Sequence, residues 1–187
     1  MQREIKLSLQ DFRSHQLRDL TNEIGVYALC GLDAVPIYVG QSTDGIRSRV
    51  RRHLTSARSD VIANRQLDVW EVAFVWGYPK SNKAKISELE AYLITEFHNK
   101  RPLMQGDIPP PVKKLSFKLP EKQVIQIMPT EEIEKRLNPV LRLPRQAEFF
   151  YLLVDHIMNV KESEQQRRTL QAHHERLTRY YGKFLSA

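Results

Sequence analysis

The sequence contains a single cysteine, Cys30, so no disulfide can form within the chain. A lone thiol is typical of proteins from a reducing compartment. No apolar run approaches the roughly 20 residues of a membrane-spanning helix, and the first six residues lack the apolar stretch of a signal peptide. We therefore expect a cytoplasmic protein with no membrane partner.

Internal repeats and low-complexity tracts are also absent from the sequence. Its 187 residues, 41% hydrophobic and 27% charged, have the composition of a soluble globular protein that can bury a core without disulfides. The formal net charge of +7 favours a polyanionic partner. The positive charge is clustered, because five arginines fall within twelve residues: Arg47, Arg49, Arg51, Arg52 and Arg58.

Local patterns predict a series of short elements in the first half of the chain. A capping box at Ser8 and Asp11 predicts a leading helix. Apolar periodicities then predict strands at 24–30 and 35–40, a helix at 46–54, a strand at 67–76 and a helix at 83–100. This order predicts an α/β (α+β) fold class, with a small, mainly antiparallel three-stranded sheet flanked by helices.

A proline-rich stretch, GDIPPPVKK at 106–114, marks a boundary, because consecutive prolines favour an extended connector. We therefore predict a core with its N-terminal helix at 1–106 and a connector with a mostly helical accessory region at 107–187. Alternating apolar residues after the connector leave a strand or a hairpin open. Helices are expected from Thr130 to Leu137, at about 145–160 and at 163–185.

The last predicted helix carries an apolar stripe at helical spacing: Leu170, His173, Leu177, Tyr181 and Phe184. The stripe fits a helix packed on its own domain or a homodimer seam. A DNA-recognition element is the alternative. The adjacent pair His173 and His174 diverges on a helix, so we expect no metal site there.

Several motifs occur in a fixed order between residues 24 and 106. Gly25-Val26-Tyr27 precedes Tyr38-Val39-Gly40 by a short interval, Arg49 follows Tyr38 by eleven residues, and His53 follows Arg49 by four. Further on are Glu90-Ala-Tyr-Leu-Ile and Pro102-Leu-Met-Gln105. This series resembles the GIY-YIG endonuclease family, except that Gln105 stands where the family usually has Asn.

The resemblance implies a divalent-metal-dependent endonuclease that hydrolyses DNA, with RNA left open as a substrate. It implies that Glu90 holds one Mg²⁺ or Mn²⁺ ion and that Tyr27 is the general base or a base relay. Arg49 would donate hydrogen bonds to phosphate oxygens, because its guanidinium stays protonated. Tyr38 and His53 would position water or phosphate. Gln105 is a further candidate site residue.

Other basic residues are candidates for binding nucleic acid. Three lie on the predicted helix beside Arg49, two end the connector and two lie in the last predicted helix: Arg47, Arg51, Arg52, Lys113, Lys114, Arg167 and Arg168. We expect the accessory region to supply DNA contacts or dimerisation. A restriction endonuclease is the favoured role, and a repair, mobile-element or phage-defence nuclease is an alternative.

Each motif also has a structural interpretation. Strand tyrosines are commonly core residues, an arginine-rich helix is commonly a solvated face, and Cys30 is expected to be buried. A non-catalytic nucleic-acid-binding protein that retains the fold, and a purely structural protein–protein module, are therefore the competing hypotheses. The combination of Tyr27, Tyr38, Arg49 and Glu90 favours the enzyme.

Overall fold

A four-stranded antiparallel sheet flanked by helices organises the computed structural model, which describes residues 8–55, 66–80 and 82–186. The strands are β1 (Gly25–Cys30), β2 (Pro36–Ser42), β3 (Phe74–Pro79) and β4 (Gln123–Gln126), in the order β2-β1-β3-β4. The helices are α1 (Leu9–Gln16), α2 (Ile46–Thr55), α3 (Lys83–His98), α4 (Thr130–Leu137), α5 (Pro139–Asn159) and α6 (Glu164–Leu185). The predicted fold class is confirmed.

Both faces of the sheet are covered, and β1 is buried along its whole length. Tyr27 belongs to a core cluster with Val50 of α2, whereas the next residue, Ala28, belongs to a second cluster with Leu89 of α3. Successive side chains of a strand point to opposite faces, which explains this alternation. The sheet therefore lies between α2 and α3.

The third strand begins later than the sequence predicted. We expected a strand at 67–76, but Val69–Glu71 form a short 3-10 helix and the strand starts at Phe74. Asp68 causes the difference, because its side chain accepts a hydrogen bond from the Trp70 N–H at 3.0 Å and so turns the backbone. The strand then continues through Gly77 to Pro79.

The predicted number of strands was wrong by one. β4 comes from the region after the connector and pairs with β3, with Trp76 opposite Val124. A four-residue strand with little alternation gives a weak periodic signal, which is why a strand and a hairpin were both left open.

Helix α5 begins six residues before the predicted start. Asn138 caps it by accepting a hydrogen bond from the Val140 N–H at 3.0 Å, and Pro139 occupies the first turn. Pro144 lies inside the helix. The other predicted helices are present, including α1 with its cap at Ser8.

A buried ion pair and a hydrogen bond attach α5 and α6 to the rest of the molecule. Arg142 of α5 donates to the Glu71 carboxylate through Nε (3.2 Å) and Nη2 (2.8 Å), and both side chains are buried. Tyr180 of α6 donates to Asp33 Oδ2 at 2.9 Å. The domain division between residues 106 and 107 stays a prediction. Among the described residues, no helix combines the length and apolar character needed to cross a membrane.

Candidate active site

Strand β2 forms one edge of the sheet, and a later segment of the chain covers its outward-facing backbone groups. The Ile37 carbonyl accepts a hydrogen bond from the Met104 N–H at 2.7 Å. The Val39 N–H donates to Gln105 Oε1 at 2.9 Å. Gln105 is buried, with 6% of its surface exposed, so this bond replaces the strand partner that an edge lacks.

Glu90 reaches the same edge from α3. The Gln41 N–H donates a hydrogen bond to its carboxylate. Gln41 lies two residues after Val39, and alternate residues of a strand direct their backbone groups to the same side. Glu90 and Gln105 therefore lie next to each other along β2, although fifteen residues separate them in the sequence.

Three predicted site residues form a triangle of rings beside this edge. The ring centroids of Tyr27 and Tyr38 are 6.4 Å apart, and that of His53 is 5.9 Å from each. Tyr27 and His53 are buried, whereas Tyr38 is partly exposed. Strand pairing and helix α2 thus bring together residues that the sequence motifs place up to 26 positions apart.

Gly40 makes room for Tyr27. The two residues are paired across β1 and β2. A Cβ atom at position 40 would lie 2.4 Å from the Tyr27 hydroxyl oxygen. Any side chain there would displace the tyrosine, which gives a steric reason for the glycine of the Tyr38-Val39-Gly40 motif.

Helix α2 holds Arg49 against Tyr27. The start of the helix is fixed by Asn22, whose side-chain oxygen accepts hydrogen bonds from the backbone and hydroxyl of Ser48. The Arg49 guanidinium hydrogen-bonds to the Tyr27 hydroxyl. Its Nε atom is buried, and within the described part of the chain no group accepts its hydrogen. A buried donor of this kind is suited to an anionic ligand.

The pKa of Tyr27 is raised well above its ordinary value, first by burial and next by Tyr38. Arg49 acts in the opposite direction, by its charge and its hydrogen bond. Tyr27 therefore keeps its proton at neutral pH in this state. Additional positive charge in the site would act in the same direction as Arg49. It would lower the pKa of Tyr27 and favour the phenolate form, which can accept a proton.

The pKa of Glu90 is raised to about 7 because burial removes water from the carboxylate, while the Gln41 N–H acts against this effect. Glu88, two residues earlier, lies outside the site. Its carboxylate accepts hydrogen bonds from the Ser116 N–H and hydroxyl, which lower its pKa. The two carboxylates of α3 thus have different surroundings: Glu88 binds Ser116, just after the connector, and Glu90 faces the β2 edge.

The donor set around Glu90 fits one hard divalent cation. Among the residues that the structure describes, no group of three or more His, Cys, Asp or Glu side chains could hold a metal ion. Mg²⁺ is commonly bound by one or two carboxylates, with water and substrate phosphate completing its coordination. A single desolvated carboxylate, that of Glu90, matches that requirement.

A polar cavity of about 570 Å³ opens at the β2 edge. Tyr38, Glu90 and Gln105 line it, together with three residues that the sequence did not indicate: Gln66, Asp107 and Gln165. Gln165 belongs to α6, sixty residues beyond Gln105. No local pattern in the sequence links these positions, because the docking of α6 brings them together.

The predicted nucleic-acid-binding residues are spread over the surface. Lys113 and Lys114 on the connector are exposed, as are Arg51 and Arg52 on α2. Arg47 donates through Nε to the Leu20 carbonyl at 2.6 Å. Arg58 lies outside the described residues.

The two predicted binding residues on α6 differ from each other. Arg167 is exposed and pairs with Glu162. Arg168 donates to the Gly106 carbonyl through Nε (3.1 Å) and Nη2 (2.6 Å), next to the cavity. Their assignment to nucleic-acid binding stays a prediction, and so do the roles assigned to the residues of the site.

Comparison with known proteins agrees with the predicted family. Residues 23–102 match the family model described as the GIY-YIG catalytic domain. No curated protein and no solved structure matches the chain. The domain supports a nuclease function in general, and a nuclease domain implies a nucleic-acid substrate. GIY-YIG nucleases generally depend on a divalent metal. Residues 23–102 of this chain are thus similar to the GIY-YIG catalytic domain.

Proposed function

We propose that this chain is a divalent-metal-dependent endonuclease that hydrolyses phosphodiester bonds in DNA. One observation carries the proposal: the Tyr27, Tyr38 and His53 rings, the Arg49 guanidinium and the Glu90 carboxylate gather at one edge of the sheet. A tyrosine, an arginine N–H that has no acceptor among the described residues and a desolvated carboxylate are suited to phosphoryl chemistry. The reaction needs proton transfer and compensation of negative charge.

Arg49 is the group best placed to bind the scissile phosphate. Its Nε–H has no acceptor within the described residues, and a guanidinium offers several donors in a fixed plane. The same guanidinium contacts the Tyr27 hydroxyl. A phosphate bound to Arg49 would therefore lie close to Tyr27, which we propose accepts or relays a proton. Tyr38 and His53 would orient the phosphate and water.

Glu90 is the residue that would hold Mg²⁺ or Mn²⁺. A bound divalent ion would neutralise charge on the phosphate and make water a better nucleophile. The burial that raises the pKa of Glu90 disfavours a bare carboxylate and so increases the benefit of a nearby cation. Gln105 completes this side of the site by fixing the β2 edge.

The wider basic surface supports a nucleic-acid substrate. The exposed residues Arg51, Arg52, Lys113, Lys114 and Arg167, and the partly engaged Arg47, supply positive charge at sequence positions predicted to bind DNA. Phosphate contacts of this kind give affinity that falls with rising salt concentration.

We propose restriction as the biological role, because the chain combines one nuclease core with one modest accessory region. A single active site cuts one strand at a time, so a double-strand break needs two protomers or two visits. A homodimer through the C-terminal helices would provide two. Tyr181 and Phe184 of α6 support it, since they expose 53% and 49% of their surfaces. The lone buried thiol of Cys30 supports a cytoplasmic location.

Incubation of the full-length protein with supercoiled plasmid or single-stranded RNA tests the proposal. With Mg²⁺ we expect plasmid nicking or linearisation, and with EDTA we expect none. Mapping the product ends and measuring the sedimentation mass then test sequence-specific cutting and dimerisation. Tight DNA binding without cleavage in Mg²⁺ or Mn²⁺ would favour the non-catalytic alternative. Cleavage of RNA but not of DNA would mean that RNA is the substrate.

A further inference from the structure

We infer that Arg168 of α6 is a positioning residue for the candidate active site, and that the accessory region therefore contributes to the reaction as well as to binding. The catalytic consequence of this inference rests on the proposed nuclease function. The positioning itself rests on contacts between α6 and the segment that follows Met104.

Arg168 holds the backbone next to Gln105. Its Nε and Nη2 atoms both donate to the Gly106 carbonyl, at 3.1 and 2.6 Å. Gln105 in turn accepts the hydrogen bond of the Val39 N–H at the β2 edge. Two donors that converge on this carbonyl fix the Gly106–Asp107 peptide, one residue beyond Gln105, in both position and orientation. The Gln105 side chain is then held where it can accept the hydrogen bond of the Val39 N–H.

A second contact from α6 braces the same segment. Gln165 Nε2 donates to Asp107 Oδ2 at 2.7 Å. The two attachments are thus on adjacent residues, Gly106 and Asp107. A Cβ atom on Gly106 would lie 2.6 Å from Gln66 Nε2 and 3.6 Å from Gln165. The wall of the cavity is therefore closely packed where α6 meets it.

The opposite side of the wall is also attached to α6. His173 Nε2 lies 3.0 Å from the Gln66 carbonyl oxygen and must donate to it, because a carbonyl only accepts. Arg168, Gln165 and His173 thus hold three residues that line the cavity: Gln66, Gly106 and Asp107. One rigid helix contacts two separate segments of the site.

The surroundings of Arg168 favour this role over direct phosphate binding. Beyond Gly106, its guanidinium lies 3.5 Å from Asp107 and 3.6 Å from Glu164. Two carboxylates beside the guanidinium offset its charge and would repel a phosphate at that position. A phosphate ligand is better served by an arginine without such neighbours.

The experiment compares Arg168→Ala, Arg168→Lys and a matched control, Arg179→Ala, which removes an arginine from the same helix away from the cavity. Cleavage is measured in a single turnover at saturating protein with Mg²⁺, and DNA affinity is measured separately with Ca²⁺. Because a misplacement of about 1 Å can cost about 100-fold, we expect Arg168→Ala to lower the saturated rate by roughly 10- to 100-fold. Arg179→Ala should not change it.

Arg168→Lys separates charge from geometry. Lysine keeps the charge but lacks the planar fork, so a positioning role predicts a saturated rate as low as that of Arg168→Ala. If Arg168 instead bound a phosphate, Arg168→Lys should keep most of the DNA affinity of the wild type. Loss of affinity alone in Arg168→Ala, with the saturated rate unchanged, would overturn the inference.

An NMR measurement keeps the inference testable if the wild-type protein does not cleave. Hydrogen exchange of the Val39 amide reports on its bond to Gln105 without any substrate. Faster exchange in Arg168→Ala than in Arg179→Ala supports positioning even where the proposed nuclease function fails. Equal exchange in the two variants, in a protein that is inactive, overturns the positioning role.

Discussion

Two partly buried carboxyl groups, Glu90 at the β2 edge and Asp33 beneath the C-terminal helices, have opposite surroundings. Burial raises the pKa of Glu90 to about 7, and one backbone N–H acts against that effect. Burial also acts to raise the pKa of Asp33, but Arg176 and the Tyr180 hydroxyl outweigh it and lower that pKa below its ordinary value.

This difference separates charges that serve a ligand from charges that serve the fold. The carboxylates under α5 and α6 are neutralised from within the chain, for example Glu71 by Arg142. Glu90 and Arg49 of the site lack comparable partners among the described residues, since Arg49 Nε has no acceptor there. A folded chain tolerates such a site when a ligand supplies the missing charges.

The largest effect is expected from Glu90→Gln. The amide can still accept the Gln41 N–H, so the fold should persist, while loss of the carboxylate should reduce Mg²⁺-dependent cleavage below detection. Plasmid cleavage and a thermal melt measure the two properties. The matched control is Glu88→Gln on the same helix, which should cleave normally. Normal cleavage by Glu90→Gln would remove Glu90 from the site.

Among the carboxylates that are neutralised within the chain, Glu71 gives the clearest test. Arg142→Ala should destabilise the fold by about 3–5 kcal/mol, because it leaves the buried Glu71 without its main partner. Urea denaturation measures the loss. Arg145→Ala is the control, since Arg145 is partly exposed where it pairs with Asp68 and should cost less. Equal losses in the two variants would mean that burial of the Glu71 pair adds nothing.

Within the site, Arg49→Ala should lower the saturated single-turnover rate by about 10²–10³, the typical effect of removing one donor to transition-state charge. Arg52→Ala, on the exposed face of the same helix, should instead weaken DNA affinity and reduce its salt dependence by about one unit of slope. If Arg49→Ala loses only DNA affinity and keeps the saturated rate, both arginines bind DNA and neither acts on the transition state.

The smallest expected effect concerns pH and stability. Burial lowers the pKa of His173 to about 4 from 6.5. Below pH 6.5 the unfolded chain therefore binds a proton that the folded chain does not, and the free energy of unfolding falls as pH drops from 6.5 to 4. His173→Gln keeps a donor for Gln66 without this titration.

Urea denaturation at several pH values between 4 and 6.5 should show a shallower fall for His173→Gln than for the wild type. The neighbouring, exposed His174→Gln is the control and should match the wild type. Parallel curves for all three proteins would contradict the neutral, buried state of His173.

Much of the core was predictable from the sequence because its signals are local. The β-branched and aromatic runs of β1 and β2, the apolar stripe of α2 and the cap at Ser8 each lie within a few residues. The motif order around Tyr27 and Glu90 also identified the family, which the match over residues 23–102 confirms.

The remaining features depend on contacts between distant segments. Asp68 turns the first part of a predicted strand into a 3-10 helix through a single hydrogen bond, and β4 is defined by its pairing with β3. The roles of Gln66 and Gln165 in lining the cavity follow from the docking of α6. Periodicity reports which face of an element is apolar but not which surface that face meets.

The central claim is that Glu90 is held without a counter-charge from the described residues, so that a divalent cation can bind there. Electron paramagnetic resonance of Mn²⁺ titrated into the full-length protein, without DNA, tests it most directly. The account predicts one bound Mn²⁺ per wild-type chain and per Glu88→Gln chain, and none for Glu90→Gln at the same concentrations. Binding of Mn²⁺ by Glu90→Gln with the stoichiometry and affinity of the wild type would contradict it.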